Sequence, residues 1–458
     1  MKILILGAGQ VGSSAAYHLS REEANEVTVV DTRPDVLREL QDRLDIRTVV
    51  GHAAYPDVLE RAGASDADII IALTDSDETN LVACQVAFTL HHTPTKIARI
   101  RAADYMKADA LFAQDAFPVD LRISPEQLVC EYVEQLILYP GALQVLEFAQ
   151  GRVRLVGAMA DRNGPMVGQK ISVLKQHVPH AEGRIAAIYR NGAAIRIEGD
   201  TVIEEGDEIF FVAARQDIRL FMSEMRKLEE PVRRVVIAGG GNIGLRLALA
   251  LEATNQVKII ERDPQRARLI SEQLNKAIVL VGDAADEELL IEENIDSIDV
   301  FCGLTNAEEA NILSAMLAKR LGAHRVMALI NRPSYVGLVE SGSIDIAISP
   351  QQVTIGSLLA HVRRGDVVKV HSLRKGSAEA IEAIAHGTEK SSRVVGRKVE
   401  EIELPRGTSI IAIVRGEEVI IAHHDIVIES DDHVILFMTD RRKIERLEEL
   451  FQVDVAFV

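Results

Sequence analysis

The sequence contains no tryptophan, only 4% aromatic residues and three cysteines, and each scarcity excludes a class of protein. So few aromatic rings leave no stacking platform for single-stranded nucleic acid. Cys84, Cys130 and Cys302 lie far apart without a Cys-X-X-Cys pair, which supports neither a disulfide framework nor a zinc ribbon. Basic residues are also outnumbered, 51 against 69 acidic ones, for a formal net charge of -18. Because phosphate contacts need clustered lysine and arginine, a general nucleic-acid binder is not expected.

Long apolar runs are missing as well. No run approaches the roughly 18 residues needed to span a membrane. The apolar N-terminus, Met1 to Leu6, stops at Gly7, is too short for a signal peptide and is better interpreted as a first strand. We therefore expect a cytoplasmic protein. The 458 residues, 47% hydrophobic and 26% charged, are typical of a soluble globular chain of about three domains.

What the sequence does contain is a long internal repeat. The segment Gly7 to Gly12 recurs as Gly239 to Gly244, and Leu73 to Asn80 recurs as Leu304 to Asn311. The segment starting at Ser124 recurs in the same order. Since the order is kept and the offset stays near roughly 230 residues, the chain is a tandem duplication of one two-part unit.

Each repeat has a front part of alternating strands and helices and a back part of short strands divided by turns. A continuous apolar strand such as Lys2 to Leu6 is typical of a sheet buried on both faces, and the alternation implies a parallel, doubly wound sheet. Turns such as Asn191-Gly192 indicate small α+β domains behind it. A charged helix from Met222 to Pro231 is predicted at the junction of the two halves.

The predicted fold class is therefore α/β, with two tandem copies of a Rossmann-like doubly wound parallel sheet, each followed by a small α+β domain. The expected nucleotide-binding domains cover residues 1–123 and 232–348. The expected small domains cover residues 140–228 and 366–453.

Both front parts carry a glycine fingerprint directly after an apolar strand and at the start of a helix. Gly7 permits the tight turn, Gly9 lets a pyrophosphate approach the backbone, and Gly12 lets the helix pack close to the strand. The helix N-terminus offers free N–H groups to phosphates. Asp31 or Glu261, at the end of the next strand, would accept hydrogen bonds from a ribose diol and favour NAD over NADP. The alternative is that one or both pockets are degenerate and bind nothing.

Three further residues are expected at the carboxyl edges of the two sheets, where ligands of such sheets bind. Thr74 and Thr305 follow the fourth strands and could contact a ribose or phosphate, or else serve as helix N-caps. Arg99 ends the fifth strand of the first half. It could clamp a phosphate, with a surface ion pair as the alternative.

Catalytic groups are not evident. None of the 13 histidines falls at matching positions of a duplicated motif, and no Gly-X-Ser-X-Gly occurs. His177 to His180 has a metal-like spacing, but no cysteine or further histidine lies near it in sequence, so no metal site is expected. Cys84 and Cys302 are expected to be buried structural thiols. The residues predict two nucleotide sensors without chemistry, and an NAD-dependent oxidoreductase is the alternative.

The domain order, with Gly7 to Gly12, Asp31, Thr74 to Asn80, Arg99 to Arg101 and Tyr139 to Ala142, resembles the RCK (regulator of potassium conductance) family of TrkA-N and TrkA-C domains. The resemblance implies a regulatory subunit that senses NAD(H) and ATP or ADP and gates a membrane-embedded potassium channel or transporter subunit. It implies a position on the cytoplasmic face of the inner membrane and a homotetramer that forms a ring of eight RCK units. A regulator of another cation transporter is the related alternative.

The resemblance also implies which residues line the two pockets. The first would be lined by Gly7, Ala8, Gly9, Gln10, Val11, Gly12, Asp31, Leu73, Thr74 and Arg99. The second would be lined by Gly239, Gly240, Gly241, Asn242, Ile243, Gly244, Glu261, Asp283, Leu304 and Thr305. The second half has Leu329 in place of Arg99, and the first half has His52 in place of Asp283. The two sites are therefore expected to differ in affinity or preference.

Overall fold

The computed structural model describes residues 1–22, 24–112, 116–332, 335–336, 339, 342, 344–362, 366–373, 378–439 and 443–452. The chain divides into two compact units. The first holds Met1–Val129 and two short segments that begin at Ile330 and Ser349, and the second holds the remainder. Within the described residues, none of the helices combines the length and apolar character needed to cross a membrane.

The first unit is built on a six-stranded parallel sheet in the order β3-β2-β1-β4-β5-β6, the first parallel sheet. Its central strands are runs of buried apolar residues because helices cover both faces. The strand order reverses between β1 and β4, and ligands of such sheets bind at that point. Its elements are β1 (Lys2–Leu6), α1 (Gln10–Leu19), β2 (Glu26–Asp31), α2 (Pro34–Gln41), β3 (Arg47–Val50), α3 (Pro56–Ala62), β4 (Ile69–Ala72), α4 (Asp77–His91), β5 (Thr95–Arg99), α5 (Ala103–Lys107) and β6 (Leu121–Ile123), followed by α6 (Pro125–Leu138).

The second unit contains two antiparallel five-stranded sheets and a second parallel sheet. The first antiparallel sheet has the order β10-β9-β11-β8-β7. Its elements are β7 (Ala142–Phe148), β8 (Val153–Met159), α7 (Leu174–His177), β9 (Gly183–Arg190), β10 (Ala193–Ile195), β11 (Glu208–Ala214) and α8 (Ile218–Met225).

The second parallel sheet repeats the first in the order β14-β13-β12-β15-β16-β17. Its ligand-binding edge is therefore again expected between the first and fourth strands, β12 and β15. Its elements are β12 (Arg234–Ala238), α9 (Asn242–Leu251), β13 (Gln256–Glu261), α10 (Pro264–Ser271), β14 (Ile278–Val281), α11 (Glu287–Glu292), β15 (Val300–Gly303), α12 (Glu308–Arg320), β16 (Arg325–Leu329) and β17 (Ile346–Ile348), followed by α13 (Pro350–Val362).

The second antiparallel sheet has the order β18-β19-β22-β20-β21 and shares a hydrophobic core with the first one. Phe148 and Phe210 from one sheet and Phe437 from the other belong to this common core. The two small domains therefore form one packed body. The elements of the second are β18 (Val367–Leu373), β19 (Ala378–Ala385), β20 (Thr408–Arg415), β21 (Glu418–Ile421), β22 (Asp432–Met438) and α14 (Ile444–Glu448).

The predicted fold class is confirmed, because each doubly wound parallel sheet is followed by a small domain with an antiparallel sheet. The predicted charged helix from Met222 to Pro231 is wrong. The helix there is α8, which ends at Met225. Its buried stripe of apolar residues stops at that point, and Arg226 leaves the helix to donate a hydrogen bond to the Gly141 carbonyl, 3.0 Å away. Without an apolar face to bury, the charged segment that follows gains nothing from helix formation.

Candidate functional site

The first glycine loop has the geometry that its fingerprint predicts. Gly7 has φ of 100°, a left-handed conformation that favours glycine. A Cβ at Gly12 would lie 1.8 Å from the Gly7 carbonyl oxygen, so only glycine lets α1 approach β1 this closely. A Cβ at Gly9 would meet nothing within 4 Å. The open space beside Gly9 is where a phosphate group would approach the backbone.

The loop of the second parallel sheet has the same three features. Gly239 has φ of 107°, and a Cβ at Gly244 would lie 1.9 Å from the Gly239 carbonyl oxygen. A Cβ at Gly241 would again meet nothing within 4 Å. The duplicated loops therefore keep both the tight turn and the open approach.

The helices that start at these loops carry no side-chain cap. α1 begins after Gly9 and α9 after Gly241, and neither helix has an acidic residue in its first turn. The first N–H groups of each helix have no intrahelical acceptor, and the helix dipole adds partial positive charge there. Each loop is thus suited to an anion such as a phosphate.

Asp31 lies at the end of β2 with 9% of its surface exposed. Its Oδ2 accepts the Ala8 N–H at 2.7 Å, and its Oδ1 accepts the N–H and Nε of Arg33 at 2.9 and 3.0 Å. Burial alone would raise the pKa of the Asp31 carboxyl. The hydrogen bonds from Arg33 and Ala8 outweigh burial and hold that pKa below its usual value. The carboxylate beside the loop therefore stays ionised.

Glu261 occupies the same place at the end of β13 but has different partners. Its Oε2 accepts the Gly240 N–H at 2.7 Å, and its Oε1 accepts the Asp263 N–H at 2.9 Å. Asp263 stands where the first half has Arg33, and it caps α10 through the Gln265 N–H. The second carboxylate is therefore held by backbone amides, and the guanidinium group at this loop, that of Arg266, donates to the Gly240 carbonyl instead, at 2.8 Å.

A buried asparagine fixes the loop after the fourth strand of the first sheet. Asn80 is fully buried, and its Oδ1 accepts the N–H of Thr74 at 2.9 Å and the Thr74 hydroxyl at 2.7 Å. Its Nδ2 donates to the carbonyls of Thr74 and Arg99 at 3.3 and 2.9 Å. The asparagine thus ties the end of β4 to the end of β5.

The second parallel sheet repeats this network. Asn311, also fully buried, bonds Thr305 through the same groups and donates to the Leu329 carbonyl at 3.0 Å. The role of these asparagines was missed in the sequence, although each follows its threonine by six residues in both halves. Thr74 is not the N-cap of α4, because Ser76 accepts the Thr79 N–H there.

Arg99 lies at the edge of the same site, in a half-buried cluster of charges. One Nη of Arg99 and the Nε of Arg101 both lie 3.1 Å from the same oxygen, Oε1 of Glu126. The side chains of Arg99 and Glu126 are only 18% and 10% exposed, so this ion pair is not a surface pair. Two guanidinium groups therefore lie against one carboxylate oxygen at this edge of the sheet. Contact of Arg99 with a phosphate stays a prediction.

The remaining predicted residues lie around the same edges. Leu73 and Leu304 continue the fourth strands, and their N–H groups bond the Leu6 and Ala238 carbonyls at 2.7 and 2.8 Å. Asp283 follows β14, is exposed, and accepts the Ala285 N–H at 2.9 Å. The structure therefore places the predicted residues of each half at the carboxyl edge of its own sheet, and ligand contact stays a prediction for all of them.

The three thiols take no part in these sites. Cys84, Cys130 and Cys302 are free and buried, as expected for Cys84 and Cys302. Burial raises the pKa of each thiol to about 12, so all three stay protonated at neutral pH. They behave as small apolar side chains.

Comparison with known proteins gives the same two-part repeat. The TrkA-N domain family matches residues 3–116 and 235–350, and the TrkA-C domain family matches residues 155–226 and 388–452. Three full-length relatives share the name Trk system potassium uptake protein TrkA. They come from Halomonas elongata, Vibrio alginolyticus and Haemophilus influenzae, with 60%, 57% and 49% identity over 100% of this chain and of the relative.

Solved structures agree at the level of the fold. The RCK domain of GsuK superposes with a TM-score of 0.61 and 19% identity, over 98% of this chain and 94% of that one. A GsuK channel bound to NAD gives a TM-score of 0.60 and 18% identity, over 98% of this chain and 79% of that one. The resemblance to RCK proteins seen in the sequence is confirmed, and the chain belongs to the family of Trk system potassium uptake proteins TrkA, with its TrkA-N and TrkA-C domains in tandem.

Proposed function

We propose that this chain is the nucleotide-sensing regulatory subunit of a Trk potassium uptake system. It binds NAD(H), and ATP or ADP at the same pockets, and gates a membrane-embedded potassium channel or transporter subunit. The observation that carries the proposal is the ionised Asp31 carboxylate next to the uncapped start of α1. The relatives named as potassium uptake proteins supply the transport role, and the NAD-bound GsuK channel has the same fold.

In the first pocket, the groups match the parts of a dinucleotide. The Asp31 carboxylate accepts the Ala8 N–H and three N–H groups of Arg33, so a ribose diol would bind it in place of the half-exposed Arg33 side chain. The open side of Gly9 lets the pyrophosphate reach the N–H groups of α1. Arg99 and Arg101 supply positive charge at the edge of the pocket. An ionised Asp31 would repel a 2′-phosphate, so NAD(H) is preferred over its 2′-phosphorylated form.

The second pocket should hold nucleotides less strongly. Within the part of the chain that the structure describes, no guanidinium group bonds the Glu261 carboxylate, and Leu329 replaces the Arg99 that offers charge in the first half. A tri- or diphosphate gains most from cations because each charge-assisted hydrogen bond is about twice as strong as a neutral one. The affinity of the first pocket should therefore depend more strongly on the number of phosphate groups in the nucleotide than the affinity of the second pocket does.

A sensor role fits the side chains better than catalysis. None of the residues predicted to line the first pocket is a histidine or lysine that could act as general acid or base toward a bound nicotinamide. Regulation then works by differential binding, since a nucleotide shifts an equilibrium only toward the arrangement that it binds better. The chain acts as a homotetramer, a ring of eight RCK units on the cytoplasmic face of the inner membrane.

The proposal is tested by measuring nucleotide binding and then potassium transport. Calorimetry with NADH, ATP and ADP is measured on the purified chain and on Asp31→Asn, which keeps the shape of the side chain and removes its charge. We expect about a tenfold loss of NADH affinity at the first site, roughly 1.4 kcal/mol, because the charge-assisted bonds to the ribose become neutral. The control is Glu39→Gln, an exposed position on α2.

Potassium flux through the partner channel, reconstituted in liposomes with this chain, is measured next. Flux should change between ATP, ADP and NADH with the wild-type chain and lose part of that response with Asp31→Asn. Flux that ignores all three nucleotides overturns the gating role, and reduction of NAD by added substrates would favour an oxidoreductase instead.

A further inference from the structure

The carboxylate of the first pocket has no acceptor site to spare in this structure. Asp31 accepts the Ala8 N–H at 2.7 Å, the backbone N–H of Arg33 at 2.9 Å, and two N–H groups of the Arg33 guanidinium at 3.0 and 3.3 Å. An ionised carboxylate has about four lone-pair sites, and these four donors fill them. A ribose diol brings two further donors, so it binds Asp31 only where two of the present donors leave.

Of these four donors, the two on the Arg33 side chain are able to leave. The two backbone N–H groups are fixed, because Ala8 lies in the glycine loop and Arg33 is the N-cap residue of α2. The Arg33 side chain, in contrast, is 54% exposed. Its rotation breaks both guanidinium bonds to Asp31 and leaves the backbone in place. The Arg33 side chain therefore competes with a ribose for the same carboxylate.

A second carboxylate lies within electrostatic reach of Arg33. The pKa of Arg33 is raised mainly by its hydrogen bonds to Asp31, and the charges of Asp35 and Asp75 raise it further. Asp75 follows β4, and β2 and β4 flank β1 in the sheet, so Asp31 and Asp75 lie on opposite sides of the glycine loop. Asp75 is exposed, and no hydrogen bond or ion pair holds its carboxylate within the described part of the chain. It is an acceptor for a guanidinium group that leaves Asp31.

The second half lacks both the cation and its second acceptor. Asp263 stands in place of Arg33 and caps α10, and Asn306 stands in place of Asp75. Among the described residues, Glu261 accepts two backbone N–H groups and nothing else, so about two of its lone-pair sites stay open. A ribose reaches that carboxylate without displacing a side chain. The first half thus carries Arg33 and Asp75 together, and the second half carries neither.

We propose that, in a first pocket that binds nucleotides as proposed, the Arg33 guanidinium group is a displaceable ligand of Asp31. In the empty pocket it occupies the ribose position, and when a ribose diol binds it transfers to Asp75 on the other side of the adenosine. Occupancy of the pocket then exchanges an ion pair at the end of β2 for one that joins the ends of β2 and β4. The exchange lowers the affinity of the pocket for ribonucleotides, because an exposed pair to Asp75 replaces a bidentate pair to Asp31.

The first test compares ADP with 2′,3′-dideoxy-ADP, which has the same phosphates and lacks the diol. Calorimetry uses the full chain with Gly241→Glu, because that side chain has open space at the second loop and its charge repels phosphate there. Adding Arg33→Ala should tighten ADP binding about threefold relative to dideoxy-ADP binding, the size of a typical exposed ion pair. The matched control, Arg43→Ala, removes an equal charge beyond the far end of α2 and should leave the ratio of the two affinities unchanged.

The ratio of the two affinities separates competition from a simple effect of charge. Loss of a positive charge alone would weaken both ligands equally, since their phosphates are the same. A ratio that is equal with and without the Arg33 side chain overturns the competition. If the chain binds neither ADP nor NADH at the first site, the nucleotide-sensing function itself fails, so the two failures are distinguishable.

The second test locates the displaced guanidinium group. Asp75→Asn keeps the shape of the side chain and removes its charge. Its effect on ADP affinity should be about twofold more unfavourable when Arg33 is present than in the Arg33→Ala background, because only the first background has a cation to transfer. Equal effects in the two backgrounds overturn Asp75 as the second acceptor.

Discussion

At the scale of single residues, the glycines and the carboxylate of each loop have separate structural roles. Gly7 and Gly12 set the shape of the first loop, Gly9 keeps it open, and Asp31 closes its far side through the Ala8 N–H. Shape and ligand approach therefore depend on different glycines, and they can be separated by substitution.

Gly12→Ala and Gly9→Ala should fail in different ways. The Cβ at position 12 would collide with the Gly7 carbonyl at 1.8 Å, so the helix must move and the chain should lose about 2–3 kcal/mol of stability. The Cβ at position 9 meets nothing, so stability should hold while NADH affinity falls. Thermal denaturation and calorimetry on both variants measure this. Equal melting temperatures for the two variants would contradict the assignment.

At the scale of elements, the parallel sheets were predictable because strands buried on both faces are continuous apolar runs such as Lys2 to Leu6. β19 was not predicted, and its sequence Ala378 to Ala385 alternates alanine and glutamate in a manner that favours helix over strand. It is a strand because it pairs on both sides, with β18 and β22. The charged residues up to Pro231 predict a helix that starts at Met222, whereas α8 lies where its apolar residues are buried and ends at Met225.

The candidate site could likewise be predicted from the sequence only in part. The fingerprints named Gly7 to Gly12 and Asp31, since those roles depend on local backbone geometry. The bonds from Asp31 to Ala8 and from Arg99 to Glu126 could not be predicted, because these partners lie 23 and 27 residues apart in the sequence. Long-range hydrogen bonds leave no periodic pattern in a sequence from which they could be predicted.

The asparagine that joins β4 to β5 provides an element-scale prediction. Asn80→Ala removes four hydrogen bonds to buried or half-buried groups around Thr74 and Arg99, and the unpaired groups should cost about 2–4 kcal/mol. Urea denaturation measures the loss, with the exposed Thr89→Ala on the same helix as control. A loss below 1 kcal/mol, on the order of one ordinary hydrogen bond, would mean that the loop is held by other contacts.

At the scale of the whole molecule, the two duplicated halves differ in the positive charges that they carry. The first half keeps Arg33 and Arg99 near its pocket and Arg47 at its sheet edge, and the second half has lost all three cations. With a net charge of -18, the chain gains nothing from anionic lipid. Attachment to a membrane partner should therefore depend on a locally basic surface of that partner, with the acidic chain as its complement.

The joint between the two small domains should make stability depend on pH. His371 on β18 packs edge-on against Phe148, with ring centroids 5.1 Å apart, and its Nε2 lies 3.3 Å from the Glu147 carbonyl oxygen. Burial, with the nearby charge of Lys369, lowers the pKa of His371 to about 3 from an ordinary 6.5. The unfolded chain therefore binds a proton below pH 6.5 that the folded chain refuses, and stability is lost as pH falls from about 6.5 to 3.

His371→Gln should reduce this loss, which reaches about 1.4 kcal/mol per pH unit at most for one group. Urea denaturation at pH 7 and pH 5 measures the difference, with the exposed His423→Gln as control. At pH 7 both variants should unfold near the wild type apart from any packing cost at position 371. At pH 5 the wild type and His423→Gln should lose more stability than His371→Gln. An identical fall in all three chains would mean that other groups carry the acid sensitivity and that the buried ring is not part of it.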